Sequence, residues 1–366
     1  MQLRLLSLFS GIGAFEKALG DKVELVNYCE IDKYAAKAYS LIHNVPEDLN
    51  LKDVTKVDTS KLHNIDMVTY AFPCQDISCA GKRQGFVDGN GNRTRSGLFF
   101  EALRIVKDTQ PKYAIAENVK NLVSKKFRTE FETVISELDK AGYVSYYDVL
   151  NAKDYGIPQN RERVFIVSIR KDLHQGFNFP KGEPLKLRLK DLLELEVDSH
   201  YYHNDDRTKR FLEKLNLSNV SNEPNIQRVG GYTNYLSAQV ISPSGISKTI
   251  AARDYKDAQS IIQIGNLLES KGGFSNKQNG RIYDPKGLAP TLRTFCGGNQ
   301  EPKILLDNIK IRKLTPLECW RLMGFEDTDF WKVKNSGISN SQLYKMAGNS
   351  IVVNVLRAIF RELLNE

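Results

Sequence analysis

The chain has 366 residues and carries 52 Lys and Arg against 44 Asp and Glu, a net charge of +8. With 41% hydrophobic and 26% charged residues it can bury a core, which excludes wholesale disorder, and no apolar run approaches the ~18 residues of a membrane span. The five cysteines are odd in number and form no CxxC pair, which argues against a disulfide framework or zinc site and for a reducing cytoplasm. The apolar N-terminal stretch Leu3–Phe15 holds two glycines and lacks a basic leader and cleavage site, so it does not read as a signal peptide. In chain order, Arg4–Phe9 reads as a strand, Ser10-Gly-Ile-Gly13 as a tight loop and Ala14–Leu19 as a helix. Strand Val23–Cys29 and helical Tyr34–Ile42 follow, then strand Ile65–Ala71, helical Leu98–Asp108, strand Tyr113–Glu117 and the charged amphipathic helix Arg128–Ala141. Val144–Leu150 and Val164–Ile169 close the series as strands. Strands separated by helical stretches predict βαβ units: an α/β fold with a doubly wound, mostly parallel sheet.

After about Asn178 the texture changes, and Gly, Asn and Ser become frequent through Gly298. An internal repeat lies here: Ile241-Ser-Pro-Ser-Gly-Ile-Ser-Lys-Thr-Ile250 matches Tyr283-Asp-Pro-Lys-Gly-Leu-Ala-Pro-Thr-Leu292, with Pro243/Pro285, Gly245/Gly287 and Thr249/Thr291 each 42 residues apart. A looser echo precedes it, Ile226-Gln-Arg-Val-Gly230 against Ile262-Gln-Ile-Gly265. Two copies are too few for a solenoid, so a duplicated β-rich unit in one small inserted domain is expected. Helical texture returns at Thr315–Met323 and Ile351–Leu364.

Several residues could carry chemistry. Phe9-Ser-Gly-Ile-Gly13 joins the first strand to the first helix, where glycines admit a ligand to the backbone, although such a loop is also a common tight turn. Glu16 occupies the third glycine position of a dinucleotide fingerprint, which disfavours a pyrophosphate cofactor. Glu30, with Asp32 two residues on, ends the next strand where a carboxylate can bind ribose hydroxyls, or simply stand in solvent. In Ala71-Phe-Pro-Cys-Gln-Asp-Ile-Ser78, Cys74 sits where open α/β sheets bind ligands, although a buried structural cysteine is the plainer alternative. Ala116-Glu-Asn-Val119 brings a carboxylate to the same rim, and alternating Gln159, Arg161 and Arg163 would share one face of an extended strand. A nucleophile, a protonatable carboxylate and guanidiniums together suit covalent chemistry on a planar polar heterocycle.

Taken together, these motifs resemble the DNA (cytosine-5)-methyltransferases. Phe9-Ser-Gly-Ile-Gly13 is similar to the family's cofactor loop, Pro73-Cys-Gln75 to its catalytic loop, and Glu117-Asn-Val119 and Gln159-Asn-Arg-Glu-Arg163 to its base-holding strands. Arg312-Lys-Leu-Thr-Pro-Leu-Glu-Cys-Trp-Arg-Leu-Met-Gly-Phe325 and Tyr344-Lys-Met-Ala-Gly-Asn-Ser350 resemble the elements that follow target recognition. The resemblance implies a catalytic and cofactor domain over 1–184, a target-recognition domain over 185–310, a hinge over 311–341 and a C-terminal helix over 342–366 returning to the first domain.

By that resemblance Cys74 attacks carbon 6 of a flipped-out cytosine, Glu117 hydrogen-bonds the ring, Arg163 contacts the base carbonyl and steadies Glu117, and Arg161 stands nearby, close to the nucleophile or to phosphates. Asn118 braces the catalytic loop. The implied cofactor is S-adenosyl-L-methionine, leaving as S-adenosyl-L-homocysteine, with no metal. Phe9, Gly11, Gly13, Glu30, Ile31, Asp53, Val54, Pro73, Leu98, Asn349 and Ile351 form its pocket. Two departures from the family pattern stand out: Ile31 where a large aromatic is common, and Lys52 where glycine is common before Asp53. Gln75, Ser78, Lys82, Arg83, Gln159, Arg253 and Arg293 are the implied DNA contacts, with Thr294 beside them, and Arg93 and Arg95 of the long 75–97 loop can meet phosphates. Duplex DNA is the expected substrate for a cytoplasmic monomer that does not bind membranes. A cognate restriction endonuclease or an orphan or phage existence both fit, and a tRNA cytosine-5 methyltransferase of the same fold is the alternative.

Overall fold

The structure is a computed structural model; it describes residues 2–73, 77, 85–86, 88–89, 91–173, 175–203 and 310–365, and in between residues 227–231, 239–242, 263–266, 281–283, 289 and 303–306. Six strands form the main sheet: β1 Leu3–Leu8, β2 Val23–Cys29, β3 Met67–Tyr70, β4 Tyr113–Val119, β5 Tyr143–Asn151 and β6 Glu162–Arg170, in the order β2-β1-β3-β4-β6-β5. Strands β2, β1, β3 and β4 pair in parallel, whereas β6 runs antiparallel to both β4 and β5. The expected mostly parallel α/β sheet is therefore present, with one reversed strand. The reversal follows from connection length: residues 152–161 hold one 3-10 turn and no α-helix, too little for a parallel crossover.

Alternation along the strands covers both faces. Leu5, Met67, Ile115, Phe165 and Val167 enter one core, while their neighbours Leu6, Val68, Ala114, Ala116, Val164 and Ile166 enter the other. Helices α3 (Phe99–Thr109) and α4 (Arg128–Lys140) cover the second face. The first face is covered from both ends of the chain, by α1 (Ala14–Leu19) and by the C-terminal helices. These are α5 (Pro316–Arg321), α6 (Asp327–Asn335), α7 (Asn340–Asn349) and α8 (Val353–Leu363). Phe360 of α8 meets Phe15 of α1 with ring centroids 6.4 Å apart. Lys17 of α1 pairs with Asp329 of α6 at 2.9 Å, and Lys37 of α2 (Lys33–His43) donates to the Ser336 carbonyl at 3.1 Å. Helices α5 and α6, within the expected hinge of 311–341, thus pack on the same core as α1. No helix among the described residues is long and apolar enough to cross a membrane.

Between residues 202 and 313 the described elements are strands: β7 Tyr202–His203, β8 Gln227–Gly231, β9 Gln239–Ser242, β10 Gln263–Asn266, β11 Arg281–Tyr283, β12 Lys303–Leu306 and β13 Lys310–Lys313. They form one sheet in the order β10-β11-β12-β13-β7 and a separate β8-β9 pair. The repeat has a structural counterpart: β8 pairs antiparallel with β9, β10 pairs antiparallel with β11, and each pair has a register irregularity beside a glycine, Gly230 or Gly265. Most of the two repeat segments themselves, with Arg253, Arg293 and Thr294, lie outside the described residues.

Candidate active site

Register brings the motifs to one rim. Cys29 stands opposite Leu8, Leu8 opposite Tyr70, and Tyr70 opposite Ala116. The residues that follow, Glu30, Phe9 and Ala71 just past their strands and Glu117 near the end of β4, therefore stand at one height across four adjacent strands, spanning ~14 Å at about 4.8 Å per strand. The reversed β6 enters at this end, with Arg163 opposite Val119.

The loop after β1 is shaped by backbone conformation. Phe9, Gly11 and Gly13 have φ of 53°, 57° and 78°, all left-handed. A Cβ on Gly11 would meet nothing within 4 Å, whereas one on Gly13 would lie 2.0 Å from His43 Nε2. That ring nitrogen is 3.2 Å from the Ile12 carbonyl, so the half-buried histidine braces the loop from behind. Burial lowers the His43 pKa, which favours the neutral ring. In front, the Glu30 carboxylate accepts from Gly11 N at 2.8 Å and Asp32 N at 2.7 Å. Burial pushes the Glu30 carboxyl up while these two N–H groups pull it back. Ile31 is 76% exposed beside it, an apolar side chain available to cover a planar ring. Open space over Gly11, a fixed carboxylate and an apolar flap suit an adenosine.

The other pocket residues divide. Pro73 and Leu98 are half-buried and Asn349 is exposed at the end of α7. Asp53 caps a 3-10 turn by accepting from Thr55 N and Oγ1, and the Thr55 hydroxyl holds its carboxyl below the usual range. Val54 and Ile351 point their side chains into the two cores. Lys52 adopts φ 62°, which explains why glycine is favoured there.

At the end of β4, Glu117 is 8% exposed and receives Arg163 Nε at 3.0 Å. Burial raises the Glu117 pKa, with Arg163 and then Arg161 opposing. Asn118 donates from Nδ2 to the Phe72 carbonyl at 3.0 Å, and Asn121 donates to the Ile77 carbonyl. These two amides tether both sides of the segment containing Cys74; Asn121 is a contact that motif reasoning misses, although it stands three residues after Asn118. Cys74, Gln75, Ser78, Lys82 and Arg83 themselves lie outside the described residues. Phe86, further along the loop, packs among Phe72, Phe99 and Phe100. Arg93 lies over the Phe100 ring at 5.2 Å and pairs with Glu101 at 3.4 Å.

Two side chains turn away from the strand face expected of them. Gln159 is 0% exposed and donates to the Leu322 carbonyl at 2.7 Å, so its side chain faces the protein interior and not the surface. Arg161 is 4% exposed and donates to the Gly348 and Ser350 carbonyls at 3.1 and 2.7 Å, which turns it inward and ties the rim to the end of α7. The cause is shared: β6 begins at Glu162, so residues 159–161 precede the strand and do not alternate with Arg163. Buried Cys29 is no rival nucleophile, because burial, then Glu30 and Asp53, push its thiol up to about 12.

The model of the C-5 cytosine-specific DNA methylases matches residues 3–365. The chain belongs to that family. It is 36% identical to the orphan methyltransferase M.SPRI of Bacillus phage SPR over 440 aligned positions, covering 100% of this chain and 98% of that protein. It is 34% identical to the type II methyltransferase M.HhaI of Haemophilus parahaemolyticus over 361, covering 98% and 93%. Among solved structures, the Entamoeba histolytica methyltransferase EhMeth shares the fold at TM-score 0.66 and 15% identity, covering 100% and 98% of the two chains. The S. pombe Dnmt2 methyltransferase does so at 0.62 and 17%, covering 100% of each. Membership in this methylase family implies S-adenosylmethionine as methyl donor and DNA as substrate.

Proposed function

We propose that this methylase transfers a methyl group to carbon 5 of a flipped-out cytosine in a specific duplex DNA sequence through a covalent Cys74 adduct. The reading rests on one observation above all: a buried carboxylate, Glu117, held by Arg163 on the strand next to the one leading into Pro73-Cys74. A thiolate is the nucleophile suited to carbon 6, because it attacks readily and later leaves. As the sulfur–carbon 6 bond forms, the ring's electron pair moves toward nitrogen 3, where Glu117, whose pKa burial raises, donates a hydrogen bond in its protonated form. Arg163 orients that carboxyl and can reach the base carbonyl. Carbon 5 then carries the density needed to take a methyl group. S-adenosylmethionine supplies that methyl from a sulfonium centre and leaves as S-adenosylhomocysteine; Glu30, Ile31, Phe9, Gly11 and Asn349 are the residues that would hold it. Loss of the carbon 5 proton to water returns an electron pair to the ring and expels the Cys74 thiolate. Flipping is required because carbon 6 is shielded within a stacked duplex. We read the protein as a cytoplasmic monomer whose inserted strands recognise the target, whether or not a restriction endonuclease accompanies it.

Incubation with tritiated S-adenosylmethionine and duplex DNA, tRNA or neither tests the proposal. Label on duplex DNA at 5-methylcytosine, lost in Cys74→Ser, is expected; label on tRNA alone would overturn it.

A further inference from the structure

The Glu30 clamp has a second layer. Glu30 is fixed at both backbone atoms by Asn50, which accepts from its N–H and donates to its carbonyl, each at 3.0 Å. Its carboxylate depends on Asp32 N, and Asp32 is itself a junction. Asp32 Oδ1 accepts from Tyr34 N at 2.9 Å and Ala35 N at 3.4 Å, capping α2, while Oδ2 accepts from Lys345 Nζ at 2.5 Å. Lys345 lies 313 residues away in sequence, on α7, one turn before Asn349 at the end of that helix.

We propose that Lys345 is a positioning residue for the methyl donor: by pairing with Asp32 it latches α7 to the end of β2 and keeps the Glu30 carboxylate seated in its two-N–H clamp. This rests on the reading of Glu30 as the ribose carboxylate. A partly exposed lysine–aspartate pair adds little to global stability. Its effect is concentrated on its buried neighbour. Burial raises the Glu30 pKa, the Asp32 and Gly11 N–H groups lower it, the Asp32 charge raises it again and Lys345 opposes that charge; Tyr28, Cys29, Asp53, Glu47 and Asp48 are further ionisable groups around this strand end. Removing the lysine charge moves protonation of Glu30 to higher pH. A protonated Glu30 loses half its acceptor capacity toward ribose hydroxyls, so donor binding then fails at a higher pH than in the wild type.

The test is calorimetric binding of S-adenosylhomocysteine between about pH 5.5 and 8.5. It compares the wild type with Lys345→Met, Lys345→Arg and Glu30→Gln. As pH falls, Lys345→Met should lose affinity at a higher pH than the wild type does, converge toward the wild type at the basic end of the range, and keep its ligand-free urea midpoint. Lys345→Arg should bind within about twofold of the wild type, and Glu30→Gln should be weak with a flat profile. Wild-type binding by Lys345→Met at every pH, or a pH-independent loss that Arg does not rescue, would overturn the latch. Wild-type binding by Glu30→Gln would instead overturn the ribose reading beneath it.

Discussion

Gly11 and Gly13 share a backbone conformation and differ in what lies behind them, so their alanine variants separate two costs. Both have left-handed φ, 57° and 78°, and each alanine should lose ~1–2 kcal/mol on that account. Gly11→Ala meets nothing within 4 Å, and the cost stops there. Gly13→Ala brings its Cβ to 2.0 Å from His43 Nε2 and 2.7 Å from Cδ2, so the ring must leave its site. Displacing it forfeits the contact with the Ile12 carbonyl, ~1 kcal/mol, and overpacks a buried position by ~1–3 kcal/mol. Gly13→Ala should thus lose ~3–6 kcal/mol, measured from urea midpoints with equal slopes. The added Gly13→Ala, His43→Ala double variant should recover part of that loss. Binding should invert the ranking: Gly11→Ala, the more stable of the two variants, fills the space over the loop and should lose affinity for S-adenosylhomocysteine. Equal stability losses in the two single variants would refute the argument that His43 braces the loop.

Three further predictions follow the same contacts. Because the folded-state pKa of Glu117 is raised, its contribution to stability is full below the ordinary value of 4.5 and is lost as pH rises through the raised value. Glu117→Gln, which cannot ionise, should gain on the wild type from about pH 4.5 upward until that titration is complete, while methyl transfer falls ~100-fold or more; urea midpoints that differ by a constant amount across pH would contradict the burial argument. Asn118→Ala removes the hydrogen bond to the Phe72 carbonyl and should cost ~1–3 kcal/mol and slow methyl transfer, with donor affinity within about twofold of the wild type; unaltered turnover would show that the tether does not serve the Cys74 segment. Lys52→Gly relieves a left-handed lysine at the expense of a looser unfolded chain, for a net gain of ~0.5 kcal/mol by thermal unfolding, and a loss above ~1 kcal/mol would contradict it.

What the sequence makes readable follows from density of signal. Leu3–Leu8, Tyr113–Val119 and Glu162–Arg170 are buried on both faces and read as near-continuous apolar runs, so the strands and their rim motifs stand out. Direction of pairing carries no such mark, and the reversal of β6 is set by the brevity of the connection before it. Helices α6 and α7 are absent from the pattern: α6 buries Asp329, Phe330 and Val333 and starts from a Glu326–Asp329 capping box, too few apolar positions to betray a stripe. Gln159 misleads because alternation presumes a strand that has not yet begun. His43 behind Gly13 and Lys345 on Asp32 are tertiary contacts between distant segments, which motif spacing cannot contain.

Covalent attack by Cys74 is the central claim, and a fluorine at carbon 5 tests it most directly, since it cannot leave as a proton does and the adduct cannot collapse. With S-adenosylmethionine and a random-sequence duplex pool containing 5-fluorocytosine, the wild-type protein should form a DNA adduct that survives denaturing electrophoresis, and Cys74→Ser should form none. An equal yield of adduct from Cys74→Ser, or methylation of ordinary duplex DNA with no trapped wild-type adduct, would contradict the account.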